Sequence, residues 1–159
     1  MYRKINKYLI DWKTGSYRKP LILQGARQVG KTYSILAFGR EQYANVAYFN
    51  FETAPNLAKT FDESIDPNYL IPILSRISGQ TIIKDKTLIV FDEVQLCERA
   101  LTSLKYCFFA GANREPFQNR YLFDSLALLS NQYFLRRSYQ ARKSYYADSA
   151  RLFSAYFQA

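Results

Sequence analysis

At the start of the chain Tyr2, Ile5, Leu9 and Trp12 recur at helical spacing, while Arg3, Lys4, Lys7 and Lys13 fall elsewhere on the wheel. That pattern predicts an amphipathic helix, better suited to packing on a domain than to lying on a membrane, and Thr14-Gly15-Ser16 ends it. The apolar run Pro20-Leu21-Ile22-Leu23-Gln24 then reads as a strand. Tyr33 to Phe38 reads as a helix whose Ile35, Leu36 and Phe38 pack on a sheet, with Gly39 near its end. Val46-Ala47-Tyr48-Phe49-Asn50-Phe51-Glu52 is β-branched and aromatic, as a buried strand requires.

Thr53 to Asp66 is polar and reads as irregular or partly helical. Pro67 to Ile77 predicts a helix buried through Leu70, Ile73 or Leu74, and Ile77, with Gly79 at its end. Pro72 falls inside that pattern, so the helix either starts late or kinks. Thr87-Leu88-Ile89-Val90-Phe91 is a further apolar strand, closed by Asp92-Glu93. Strands alternating with helices over short connections predict parallel β-α units, because a parallel pair needs a crossover. The fold class is therefore α/β.

Length changes the picture little: 159 residues make one domain with a real core. Composition excludes more. The chain has 14 Tyr and 12 Phe but no His, so neither a His-activated nucleophile nor a His-containing zinc site can be built. Cys97 and Cys107 cannot complete a metal site by themselves and read as free thiols of a reducing compartment. The net charge of +9 is spread along the chain, a surface that attracts nucleotides, nucleic acid or acidic lipid without choosing among them. No apolar run is long enough for a membrane span or a signal peptide, which predicts a cytoplasmic protein without a membrane partner.

The chemistry concentrates in two stretches. Gly25-Ala26-Arg27-Gln28-Val29-Gly30-Lys31-Thr32 fits G-x-x-x-x-G-K-[ST] directly after a strand, the wording of a phosphate loop. Its glycines let successive N–H groups turn toward phosphate oxygens, and the following helix points its positive end at them. Lys31 is expected to reach the β and γ phosphates, and the Thr32 hydroxyl to ligate Mg²⁺. The second stretch ends in Asp92-Glu93, a Walker B arrangement in which Asp92 holds the magnesium and Glu93 serves as general base for the attacking water. Asn50 and Glu52, at the carboxyl end of their strand, suit either the magnesium water shell or a neighbouring loop. Together these stretches predict a P-loop NTPase: a parallel sheet flanked by helices, with ATP and Mg²⁺ as its ligands. GTP is disfavoured, since no Asn-Lys-x-Asp stretch is present.

The phosphate loop with its flank Arg18 to Gln24, the stretch Tyr48-Phe49-Asn50-Phe51-Glu52, and Leu88-Ile89-Val90-Phe91-Asp92-Glu93-Val94-Gln95 resemble the bacterial and archaeal AAA-type ATPases. Ala100 to Tyr106 is similar to that group's helix after Walker B. The resemblance covers residues 1–107 and implies an ATP-binding domain in which the Walker B strand lies beside the second strand. It also implies a further strand between Walker B and the phosphate-loop strand, ending in a small polar sensor residue. Tyr121-Leu122-Phe123 and Tyr133-Phe134-Leu135 are the candidates for that strand, and neither ends in a polar residue. The C-terminal third is therefore expected to be incomplete or atypical. Residues 108–159 read as a basic, Tyr-rich segment of the same domain or as a nonnative tail, with the central strand lost and hydrolysis slow.

Within that third, Tyr146, Ala150, Phe153 and Phe157 suggest one face of a last helix. Arg136, Arg137, Arg142 and Lys143 with Tyr139, Tyr145 and Tyr146 suggest a single-stranded nucleic-acid surface. Arg27, Arg99 and Arg114 are arginine-finger candidates. The functional expectation is ATP hydrolysis coupled to conformational change, in a chain able to form oligomers. The alternative is an ATP-dependent binding module that recruits a protein or nucleic acid without appreciable turnover.

Overall fold

The computed structural model of the chain describes residues 4–15, 20–109, 126–130 and 154–156. Helix α1 (Lys4–Thr14) precedes strand β1 (Leu21–Gln24), helix α2 (Lys31–Gln42) and strand β2 (Asn45–Asn50). Helices α3 (Asn56–Glu63) and α4 (Pro67–Ser78) lead to strand β3 (Thr87–Asp92), a 3-10 turn at Val94–Leu96 and helix α5 (Glu98–Phe109). Strands β4 (Leu126–Ser130) and β5 (Ser154–Tyr156) complete a parallel sheet of order β2-β3-β4-β1-β5.

Strand alternation divides the core into two. Ala47, Phe49, Ile89, Phe91, Leu126 and Leu128 face α3, α4 and α5 through Leu57, Phe61, Leu70, Leu74 and Ala100. Leu21, Leu23, Leu88, Val90, Ala127 and Leu129 face α1 and α2 through Ile5, Leu9, Trp12, Ile35 and Phe38. Strands β3 and β4 are buried at every position because helices cover both of their faces. The result is a helix-sheet-helix sandwich.

The central strand corrects the expectation that it is lost. Residues Leu126–Ser130 pair with β3 on one side, Phe91 opposite Leu128, and with β1 on the other, Gln24 opposite Ser130. Neither aromatic candidate supplies it: 121–123 and 133–135 lie outside the described residues. The strand does end in a small polar residue, Ser130, which is 1% exposed. The expected last helix is also corrected, since residues 154–156 form β5 beside β1, while Tyr146, Ala150, Phe153 and Phe157 lie outside the described residues.

Several helices differ from their sequence reading. Helix α4 starts at Pro67 without delay, because the Asp66 side chain accepts from the Asn68 amide at 2.9 Å and Pro67 needs no donor at the first helical position. Pro72 is exposed, where a missing N–H costs least. Leu70 and Leu74 form the buried face of α4, while Ile77 is 50% exposed. Within the polar stretch after β2, α3 forms on just two buried apolar residues, Leu57 and Phe61.

Gly39 stands near the end of its helix, which runs on to Gln42. It lies inside α2, buried where the helix crosses β2 and β3, and a Cβ there would stand 2.6 Å from Val46 Cγ2 and 2.9 Å from Leu88 Cδ2. Val46 is β-branched and stiff, so the helix would have to move away. Overpacking of this kind costs about 1–3 kcal/mol, against about 1 kcal/mol gained from alanine's helix propensity. Gly39→Ala is therefore expected to lower the urea midpoint; a raised midpoint would show that α2 does not need this close approach.

Candidate functional site

Every strand runs in the same direction, so β1, β3 and β4 deliver their carboxyl ends to one edge, where open α/β sheets bind ligands. The loop between β1 and α2 crosses this edge. Gly25 is buried at its root, while Ala26, Arg27 and Gln28 are exposed. Gln28 (φ 63°) and Gly30 (φ 86°) both take left-handed backbone, which folds the loop back over the helix start. The first helical bond into that turn is Ser34 N–H to Gly30 C=O at 3.0 Å. A helix start of this kind presents its first amides and its positive dipole end to an anion.

Lys31 is 8% exposed, and its ammonium donates to the carbonyls of Gly25 at 2.9 Å and Ala26 at 2.7 Å. Burial lowers its pKa; the negative charges of Glu93 and Asp92 act the other way, and Arg27 adds a smaller lowering. These two carbonyls hold the ammonium at the root of the loop.

Asp92 is buried at 6% exposure and gathers three donors. Its Oδ2 accepts from Thr32 Oγ1 at 2.9 Å and from Tyr48 Oη at 2.8 Å, and its Oδ1 accepts from the Glu93 amide at 2.9 Å. Glu93 takes left-handed backbone, φ 51° and ψ 40°, sparsely populated by non-glycine residues and found where structure around it holds it. This turns the chain out of β3 into the 3-10 turn, and Gln95 Nε2 donates to Glu93 Oε2. The Gln95 Oε1 is buried with no hydrogen-bond partner among the described residues.

The structure thus brings Lys31, Thr32, Asp92 and Glu93 to one edge with Gly25 through Gly30 around them. Asn50 goes to its own loop: its Oδ1 accepts from the amides of Glu52 at 2.8 Å and Thr53 at 3.1 Å. Glu52 pairs with Arg27 at 3.6 Å, both side chains more than half exposed, a pair worth little in water. Arg99 donates to the Phe61 carbonyl at 2.7 Å and lies 3.6 Å from Asp62, which ties α5 to α3. Arg114 and the basic aromatic stretch 136–146 lie outside the described residues.

Two residues of this edge escaped the sequence reading. Ser130 ends β4 opposite Gln24, the residue before the loop that opens at Gly25, and its signal was an apolar run closing on a small polar residue. Tyr48 reaches Asp92 across the sheet, which only strand register reveals. Burial pushes its phenol up to about 12; the Asn50 amide opposes that rise, and the bond to Asp92 adds to it.

A model of the AAA domain family matches residues 17–150. The chain belongs to that family. The match passes residue 107, where the sequence-level resemblance stops, and takes in β4 with its terminal Ser130. A search of curated proteins finds no match. The edge described above is accordingly that of an AAA-type nucleotide-binding domain, and among the described residues no helix is long and apolar enough to cross a membrane.

The oxygen donors suit the metal that accompanies a nucleotide. Among the described residues no group of three or more carboxylates or cysteines gathers as an all-protein metal cage would need. One carboxylate and one hydroxyl meeting beside the loop from Gly25 to Gly30 fit Mg²⁺, which takes one or two protein oxygens and completes its shell with substrate phosphates and water.

Proposed function

We propose that this AAA domain binds ATP with Mg²⁺ and hydrolyses it, coupling the reaction to conformational change. The observation that carries the reading is the 2.9 Å bond between Thr32 and Asp92, 60 positions apart in sequence and joined at the mouth of the phosphate loop. Thr32 and Asp92 would hold Mg²⁺, which supplies a hard Lewis acid for the phosphate oxygens when bound.

The chain's own residues do the rest. The loop amides and the start of α2 bind the phosphates, and Lys31 exchanges its two carbonyls for phosphate oxygens, neutralising charge where it accumulates in the transition state. Glu93 accepts the proton of the attacking water, and the backbone turn together with Gln95 fixes its carboxylate. Ser130 occupies the strand end at which the family resemblance implies a sensor for the γ phosphate.

Lys31→Ala tests the binding half of this reading. Hydrogen bonds to charged groups are worth about 1.5–3 kcal/mol, so the dissociation constant for a fluorescent ATP analogue should rise at least about tenfold. Equal affinity in two proteins with matching circular dichroism would sink the assignment.

A further inference from the structure

The nucleotide reading assigns Thr32 and Asp92 to the metal but leaves open what else fixes the Asp92 carboxylate. Tyr48 lies on β2, which pairs in register with β3, Tyr48 opposite Val90 and Asn50 opposite Asp92. Tyr48 therefore stands two residues before the position facing Asp92, on the same face of the sheet. A tyrosine is long enough to bridge that diagonal. Its Oη donates to Asp92 Oδ2 at 2.8 Å and accepts from Asn50 Nδ2 at 3.3 Å. Asn50 is itself fixed by the amides of Glu52 and Thr53. The ring packs against the core formed by α1, α2 and the sheet, so the hydroxyl sits on a supported lever.

We propose that Tyr48 is a positioning residue of the magnesium site: its hydroxyl holds the Asp92 carboxylate in the orientation that the metal's shell requires. The inference rests on the reading of Thr32 and Asp92 as the magnesium pair. Both of those side chains meet at one oxygen, Asp92 Oδ2, and Tyr48 is the second donor there. The Thr32 hydroxyl can ligate the metal through an oxygen lone pair and still donate its proton to Asp92, but that bond then follows the metal. Tyr48 then keeps the carboxylate from rotating, while the Glu93 amide secures the other oxygen. Groups that orient a ligand from behind commonly contribute 10–100-fold to metal affinity.

Tyr48→Phe removes one oxygen and keeps the ring in its packing. Binding of a fluorescent ATP analogue is titrated first in EDTA and then with increasing Mg²⁺. The expected result is unchanged metal-free affinity and a magnesium midpoint about 10–100-fold higher than in the wild type. In an Asp92→Asn background, Tyr48→Phe should shift the midpoint no further, since its effect passes through the carboxylate. An unchanged midpoint in Tyr48→Phe, a loss of metal-free affinity equal to the loss with magnesium, or an additive shift in the double variant would each overturn the proposal. Wild-type protein that binds no nucleotide would instead defeat the underlying assignment, so the two failures are distinct.

Discussion

Phe91→Ala is expected to remove about 3–5 kcal/mol of stability, the range for a fully buried phenylalanine cut back to alanine. Phe91 is 0% exposed near the carboxyl end of β3 and meets three other rings edge-on: Phe49 at 5.7 Å, Phe51 at 5.6 Å and Phe61 at 5.6 Å. The Phe61 ring stands at 88° to it, the geometry in which the positive edge of one ring meets the negative face of the other. Removing Phe91 empties the centre of this cluster, and its neighbours are rings on β2, on the turn after it and on α3 that cannot all close inward. Domains of this size are stable by about 5–15 kcal/mol, so the variant should lose a large share of the total. Urea unfolding followed by circular dichroism measures the loss, and Phe91→Leu, which keeps most of the volume, should lose less. A Phe91→Ala loss under about 1 kcal/mol would mean that the aromatic cluster does not support β3. Because Asp92 directly follows, the variant should also blunt magnesium-dependent nucleotide binding before it unfolds.

How far the sequence revealed this molecule depended on whether the constraint was local. That Gly25 to Thr32 and Asp92-Glu93 meet at one edge was legible because both stretches close an apolar strand, and helix α1 because Ile5, Leu9 and Trp12 repeat along one face. Strand β4 was not, for a physical reason. Buried on both faces, it lacks the alternation that marks a half-exposed strand, and Leu-Ala-Leu-Leu carries weaker strand preference than the aromatic triplets on either side of it. Its position between β3 and β1 comes from pairing with two distant segments. Gly39 marks the nearby helix end in the sequence, but its close approach to Val46 and Leu88 on other elements is visible only in the fold. Tyr48 was read as part of a buried strand, and its hydroxyl acquired a partner only through the β2–β3 register.

Glu93→Gln should leave ATP binding nearly intact and slow single-turnover hydrolysis by about 10²–10⁴, the usual contribution of a general base. The amide has the shape of the carboxylate, and its oxygen can still accept from Gln95 Nε2, so the turn after β3 need not rearrange. The Glu93 amide also still donates to Asp92 Oδ1, which preserves that side of the metal pair. What the amide cannot do is take the proton from water. Hydrolysis and binding should therefore separate in this variant, in contrast to Lys31→Ala, where the loss begins with binding. Single-turnover measurement matters because it reads the chemical step without product release. Equal rates in wild type and variant, both saturated with ATP and Mg²⁺, would remove Glu93 from the reaction. Equal and negligible rates would favour a module that binds ATP to change shape and recruit a partner, with Asp92 serving the nucleotide's magnesium alone.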